Sequence, residues 1–175
     1  MGRRPARCYS KQDRPAYTRK KFIRGGPEPK IKIYDLGNTK GNTNFPVQIS
    51  LRIMDETQIS HNALEAARVQ VNRFLTDKIG RENYHYKICV FPHHVIRENK
   101  MMTGAGADRV QDGMRLAFGK PMGSAARVSK NQKILQVRVA PEHYKIAKEA
   151  LKRGKPKFSK PCRIFIEAGE ELIKN

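Results

Sequence analysis

The chain has 175 residues, the length of one ordinary domain, and it is strongly basic, with 36 Lys and Arg against 16 Asp and Glu. Its formal net charge of +20 favours a polyanionic partner, with nucleic acid ahead of an anionic membrane surface. No apolar run approaches the ~18 residues that span a bilayer, and the first residues lack the apolar stretch of a signal peptide. A membrane or secreted protein is therefore not expected.

Residues 1–32 are predicted to form a basic arm. They contain eleven basic residues, two acidic residues and four prolines, and their apolar residues follow no period. Such a segment buries too little surface to offset the entropy of ordering itself, so it is either a disordered tail or an arm that becomes ordered on RNA. Aromatic residues interleaved with the arginines, at Tyr9, Tyr17 and Phe22, favour the RNA-binding arm.

The first half of the segment 33–168 has the signals of a packed domain. Strands are predicted at 31–36 and 45–53, and a turn at 55–60. A helix follows, with Asn62 as its cap, Glu65 as the capping-box partner and Gly80 as its end. One face of this helix is predicted to enter the core, at Leu64, Ala67, Val71, Phe74, Leu75 and Ile79.

The second half continues the alternation of strands and helices. Strands are predicted at 84–92, 94–101, 124–130, 133–140 and 162–168, with a tight hairpin at 131–132. A short helix capped by Asp108 should present Val110, Met114, Ala117 and Phe118 on one face, and a last helix should begin at Pro141. The prediction is an α+β fold, a mainly antiparallel sheet with two or three packed helices in a two-layer sandwich. Residues 169–175 form a short tail.

No pattern of residues predicts catalysis or a cofactor. His93 and His94 are adjacent, so on a strand they point to opposite faces and do not share a metal ion. The run GAGAD at 104–108 lacks the third glycine of a dinucleotide-binding loop. Cys8, Cys89 and Cys162 are too far apart for a zinc motif and are predicted to be reduced thiols. The expectation is a protein without catalytic residues, metal or cofactor.

A second basic block, distant in sequence from the arm, is mounted around glycines. The window 97–133 carries eight basic and three acidic residues and surrounds the uncharged run MMTGAGA at 101–107. Arginine offers a planar fork to phosphate, and glycine lets backbone amides approach a phosphate closely. Two blocks of one sign favour RNA binding over a merely solvated surface.

Several motifs together resemble one family. These are MGRRPARCY at the start, DLG at 35–37, ALEAAR at 63–68, HVIRENKM at 94–101, the pattern GADR-Q-GMR-AFGKP-G through 106–123, and AR at 126–127. The family is the universal large-subunit ribosomal protein numbered sixteen in bacteria and called "ten-e" in archaea and eukaryotes. The resemblance covers essentially residues 1–165. The short acidic end GEELIKN and the polar run at 38–44 are more like the archaeal branch.

The resemblance implies a structural rRNA-binding protein of the large ribosomal subunit, in the cytoplasm. Its partners would be large-subunit rRNA, tRNA transiently and neighbouring ribosomal proteins, with no membrane and no homo-oligomer. In the family, the segment matching 101–107 is a mobile loop that reaches toward the tRNA sites and the peptidyl transferase centre. The loop residues would be Met101, Met102, Thr103, Gly104, Ala105 and Gly106.

The rRNA contacts are expected in both basic blocks. Those of the arm would be Arg3, Arg4, Arg7, Arg14, Arg19, Lys20, Lys21 and Arg24. Those around the loop would be Arg97, Lys100, Arg109, Arg115, Lys120 and Arg127. Two other functions compatible with the charge remain as alternatives, a free-standing RNA-binding regulator and an RNA-modifying enzyme.

Overall fold

Eight strands and two helices form the regular structure of the part of the chain that the computed structural model describes, residues 4–40, 45–101 and 113–173. The helices are α1 (His61–Ile79) and α2 (Tyr144–Gly154). The strands are β1 (Asp35–Gly37), β2 (Val47–Ile53), β3 (Thr57–Ser60), β4 (Tyr84–Ile88), β5 (His94–Glu98), β6 (Lys120–Val128), β7 (Lys133–Val139) and β8 (Cys162–Ala168).

The strands form two antiparallel sheets. The larger sheet has the order β1-β4-β7-β2-β8, and the smaller has the order β3-β6-β5. The predicted hairpin at 131–132 is wrong, because β6 and β7 do not pair with each other and lie in different sheets; the turn between them passes through Asn131, which has a φ of 64°. This turn therefore joins an inner strand of one sheet to an inner strand of the other. The α+β prediction with antiparallel sheets and packed helices is confirmed.

The core lies between the helices and one face of the larger sheet. Alternate residues of β2 point to this face and are fully buried, at Val47, Ile49, Leu51 and Ile53. The residues predicted for the core face of α1 are all buried, which confirms that prediction, and α2 adds Ala147, Ala150 and Leu151. At the far end of α1, the Tyr84 hydroxyl donates to Asn72 Oδ1 at 2.8 Å and is hydrogen-bonded to Thr76 Oγ1 at 2.9 Å.

The other face of the larger sheet is polar, and we call it the open face. Lys87, Gln136, Ser50 and Phe165 lie in one row across β4, β7, β2 and β8. These residues alternate along their strands with the apolar residues of the core face. The sheet is thus packed on one side and carries charged side chains on the other.

The prediction of a turn over 55–60 is wrong, because residues 57–60 form strand β3. This strand pairs with β6, with Thr57 opposite Val128 and Ser60 opposite Ala125. Its partner lies some 65 residues further along the chain. Four residues are too few to show a convincing alternation, so the pairing that makes them a strand is not visible locally.

The start of α1 also differs from the prediction. The cap is Ser60, whose Oγ accepts a hydrogen bond from the Ala63 amide at 3.4 Å, and Asn62 lies within the helix. Glu65 does not complete a capping box, since its carboxylate forms an ion pair with Arg68 at 2.6 Å. Gly80 ends the helix as predicted, with a φ of +84°.

The short helix predicted from Asp108 is contradicted in the part that is described. Residues 113–116 form turns, Leu116 has a φ of 55°, and the chain is extended into β6 from Lys120. Met114 and Phe118, expected on a packed face, are 75% and 68% exposed. Asp108 and Val110 lie outside the described residues. Other strand bounds moved by a few residues, and β6 begins at 120 rather than 124.

Candidate nucleic-acid interface

The described part of the arm lies along the smaller sheet and is hydrogen-bonded to it. Gln12 Nε2 donates to the carbonyls of Thr57 and Val128, the latter at 3.1 Å, so it bridges β3 and β6. Gln58 returns a hydrogen bond to the carbonyl of Lys11. Side-chain amides thus hold the arm to the sheet. The composition of the arm predicted either a disordered tail or an arm that becomes ordered on RNA, and it did not predict these contacts.

Tyr17 attaches the arm to the free edge of β5. Its amide donates to His94 Nδ1 at 2.9 Å, and its carbonyl accepts from the Val95 amide at 2.9 Å. An edge strand exposes unpaired backbone groups, and the hydrogen bond from the Val95 amide satisfies one of them. The arm therefore contacts the edge of the smaller sheet at Tyr17 without forming a further strand.

Arg97 joins the arm, β5 and the segment before β6. Its guanidinium carbon lies 4.8 Å from the centre of the Tyr17 ring and 4.2 Å from that of Phe118. The two rings meet edge to face, with centroids 6.1 Å apart. A cation between two aromatic rings is attracted to both, typically by about 0.5–2 kcal/mol for each pair. Arg97 thus has a structural role that sequence reasoning missed.

Glu98 anchors the beginning of the arm. Its carboxylate accepts a hydrogen bond from the Tyr9 hydroxyl at 2.9 Å and forms an ion pair with Arg4 at 3.1 Å. Burial, together with the hydrogen bond to Glu98, raises the pKa of Tyr9 above its ordinary value. One predicted phosphate contact, Arg4, is therefore already paired with a carboxylate, although its side chain is still 55% exposed.

A groove of about 280 Å³ runs between the arm and β5, and the charged residues that line it are mostly cationic. Lys11, Arg14, Arg97 and Arg127 contribute positive charge, and Asp13 is the acidic residue among the lining side chains. Arg127 donates to the Pro15 carbonyl at 3.4 Å through one terminal nitrogen. Its Nε is buried and has no hydrogen-bond partner among the described residues. A buried guanidinium N–H without an acceptor is costly, and this atom is closed to solvent while the arm is docked as it is here.

His94, at the wall of the groove, is held neutral. Burial, with Arg127 and Arg97 nearby, lowers the pKa of His94 to about 4. The neutral ring can accept a hydrogen bond from the Tyr17 amide at Nδ1. In the protonated ring Nδ1 itself carries a proton, so two donors would face each other and this hydrogen bond would be lost. The same cations that would bind phosphate thus keep this docking contact intact at neutral pH.

Acidification should release the arm around Tyr17. The pKa of His94 is lower in the docked state than the usual 6.5, so an undocked ring takes up a proton first as the pH falls. Docking is expected to be complete above about pH 6.5 and to weaken progressively toward pH 4. The pH dependence of docking is measured by hydrogen exchange of the Tyr17 amide, corrected for its intrinsic rate. In a His94→Gln variant, protection of that amide should no longer vary with pH over this range; equal protection at pH 7 and 4.5 in the unsubstituted chain would contradict the assignment.

The predicted contact residues fall into two groups by exposure. Arg97 and Arg127 are partly buried, and with Arg14 they line the groove. The other described residues predicted to contact RNA are exposed: Arg4, Arg7, Arg19, Lys20, Lys21, Arg24, Lys100, Arg115 and Lys120. Arg3, Arg109 and the loop residues from Met102 to Gly106 lie outside the described residues, and Met101 is 48% exposed.

The interface also contains residues that were not predicted to contact RNA: Lys11, Tyr17, His94 and Phe118. The sequence signal was weak, since Tyr17 shows only as an aromatic residue among arginines, and Phe118 was expected on a helix.

Neither a metal site nor a membrane span is found in the described ranges. No group of three or more His, Cys, Asp or Glu residues there could hold a metal ion. His93 and His94 have separate contacts, since the His93 ring lies 4.5 Å from that of Phe91. None of the described helices is long and apolar enough to cross a membrane.

Comparison with known proteins gives matches over nearly the whole chain. The model of the family described as ribosomal protein L16p/L10e matches residues 12–165. A protein of Methanococcus aeolicus is 51% identical over 175 residues, all of both chains. A protein of Hyperthermus butylicus is 52% identical over 99% of this chain and 98% of its own, and one of Archaeoglobus fulgidus is 48% identical over 99% and 98%. All three are named large ribosomal subunit protein uL16.

Proposed function

Because this chain belongs to the ribosomal protein L16p/L10e family, we propose that it is a structural constituent of the large ribosomal subunit. Its place of action is then the ribosome in the cytoplasm, and its partners are rRNA and neighbouring ribosomal proteins. It is not an enzyme, in keeping with relatives that are named as ribosomal proteins.

The groove between the arm and β5 is the observation that best supports rRNA binding. Arg14, Arg97 and Arg127 converge there from three segments distant in sequence, and each brings a positive charge to the groove. A phosphate group in the groove would compensate this charge. Counterions released from the RNA would add to the affinity.

The rest of the arm would extend the contact along the RNA. Arg19, Lys20, Lys21 and Arg24 are exposed, and no ion pair holds them within the described part of the chain. Their long side chains can therefore reach phosphates without first breaking an internal contact. We assign most of these contacts to the RNA backbone, which makes the arm a positioning device rather than a reader of base sequence.

We further propose that the segment 101–107 approaches tRNA near the aminoacyl site and the peptidyl transferase centre. The proposal is supported by the sequence, since small uncharged residues follow Lys100 and precede Arg109. Charged residues at the tip would bind the first phosphates they met, whereas glycines leave the loop free to adapt. Met101 and Met102 would supply adaptable apolar contacts.

Cosedimentation tests the ribosomal assignment. A tagged chain expressed in its native cell should remain with the large subunit through a moderate salt wash, at one copy per particle. A free-standing RNA-binding regulator would dissociate in the wash, and an RNA-modifying enzyme would be present in far less than one copy. Absence of the chain from washed subunits would overturn the proposal.

The same particles test the loop. A Gly104→Pro/Gly106→Pro variant should still cosediment, because its arm and groove are unchanged, but its subunits should translate more slowly. An Asn131→Gly variant, which changes a distant turn with a φ of 64°, is the control. Normal translation by subunits that contain the proline variant would contradict a role near tRNA.

A further inference from the structure

We propose that the open face of the larger sheet is a second RNA-binding surface, which takes an unpaired stretch of rRNA with a base stacked on Phe165. The proposal rests on the proposed ribosomal function and adds a contact on a different sheet from the groove. The chain would then lie between two RNA segments and hold them together.

Phe165 is the apolar centre of this surface. It lies on β8 opposite Ser50 of β2, and it is 37% exposed. The guanidinium carbon of Arg52 lies 5.1 Å from the centre of its ring. An aromatic ring on an antiparallel sheet, flanked by cations, is a general platform for unpaired bases.

The nearby carboxylate does not oppose a polyanion, because its charge is compensated within the protein. Glu167 accepts hydrogen bonds from Ser50 and from Arg52, the latter at 2.6 Å from a terminal nitrogen, and forms an ion pair with Lys133 at 2.7 Å. Burial alone would raise the pKa of Glu167, but these hydrogen bonds outweigh it and lower the pKa to about 2. The network also fixes Arg52 over one face of the Phe165 ring, which leaves the other face to a base.

Two arginines on this face remain uncommitted. Arg138 and Arg163 form no ion pair among the described residues, whereas Lys87 lies 3.9 Å from Asp35. Arg163 is two residues from Phe165, roughly 7 Å along the strand, and Arg138 lies two strands away and two residues along in the other direction, roughly 12 Å from Phe165. These spacings allow phosphates on either side of a base stacked on Phe165 to meet a cation.

Charge favours RNA over a protein as the occupant. The charged side chains of the open face comprise five cations against two carboxylates: Arg52, Lys87, Lys133, Arg138 and Arg163, against Asp35 and Glu167. His85 also lies on this face, and its burial lowers its pKa. The chain as a whole carries a net charge of +20, so an ordinary protein surface would not compensate it. Phe165 and Arg163 are both exposed, so no described segment covers this end of the face.

Hydroxyl-radical footprinting of large-subunit rRNA with the full chain tests this. An Arg138→Gln/Arg163→Gln/Phe165→Leu variant should lose protection of one rRNA segment and bind about tenfold more weakly. Its salt slope should fall by roughly 1.4–1.8, since about 0.7–0.9 counterions are released per phosphate contact. Protection by the groove and arm should persist. An Arg73→Gln/Arg81→Gln control, which removes two exposed arginines elsewhere, should keep every protection.

The outcomes separate this inference from the function on which it rests. If the variant keeps all protections and the full salt slope, or if the control loses as much, the open face is not an RNA site. A neighbouring ribosomal protein on this face would give the first of these results and overturn the inference. If the unsubstituted chain protects no rRNA at all, the proposed function itself fails. The Arg138→Gln/Arg163→Gln double variant decides the question should the triple variant not fold.

Discussion

Neutralising five exposed cations of the arm is expected to weaken binding to large-subunit rRNA by more than about a hundredfold near physiological salt. The substitutions are to glutamine, at Arg14, Arg19, Lys20, Lys21 and Arg24. If each cation contacts one phosphate, the slope of log affinity against log salt should fall by roughly 3.5–4.5. Filter binding of the full chain at several salt concentrations measures both quantities.

A matched control separates contact from bulk charge. Five exposed cations on and near the helices are replaced by glutamine, at Arg73, Lys78, Arg81, Lys152 and Lys157. This variant has the same net charge as the arm variant, so any long-range attraction is equally reduced. It should keep most of the slope of log affinity against log salt. If both variants lost affinity and slope equally, the arm would contribute only to the net charge of the chain, and the proposed interface would be wrong.

The second large effect is on stability, and it concerns Gly37. Its φ is +82°, and a Cβ added there would lie 2.3 Å from the Tyr84 carbonyl oxygen and 2.9 Å from the Tyr84 ring. That same oxygen accepts the Asn38 amide at 2.8 Å, so it cannot move freely. A Gly37→Ala substitution should therefore lower the free energy of unfolding by about 2–4 kcal/mol, through backbone strain and overpacking together.

Gly80 offers a control with nearly the same backbone angle. Its φ is +84° and its ψ 153°, but none of the described atoms beyond its neighbours in the chain lies within 4 Å of the position that a Cβ would occupy. Gly80→Ala should therefore cost only the backbone strain, about 1–3 kcal/mol. Urea denaturation measures the free energy of unfolding of both variants. Equal decreases would show that Tyr84 moves away from an added Cβ at position 37 at no cost in free energy.

Local patterns predicted those features that depend on residues close in sequence. The buried face of α1 follows from a period of 3.6 residues, and strand β8 was predicted with its observed bounds because CRIFIEA is flanked by a proline and a glycine. The predictions for strand β3 and for the segment 113–118 were wrong, because the structure there depends on residues that are distant in sequence. Thr57 is a strand residue because Val128 is opposite, and Phe118 lies outside any helix, with its ring against Arg97 and Tyr17.

The candidate interface also has features that the sequence predicts and features that it does not. Its basic composition and its family motifs can be recognised in the sequence, and they indicate which partner to expect. The sequence did not indicate that Arg4 is paired with Glu98, that Arg97 lies between two rings, or that Arg127 has an unpartnered nitrogen beside the arm. Each of these depends on at least one contact between residues that are 80 or more positions apart in the chain.

The sequence by itself determined the charge, the helix α1 and its core face, the α+β class and the family, because these depend on composition, on short periods or on contiguous motifs. Only the tertiary structure decided that the strands divide into two sheets, that the arm is hydrogen-bonded to the smaller one, and that the larger has an open basic face. The physical reason is that strand pairing and side-chain contact join distant residues, and their free energy exists only once the chain has brought those residues together.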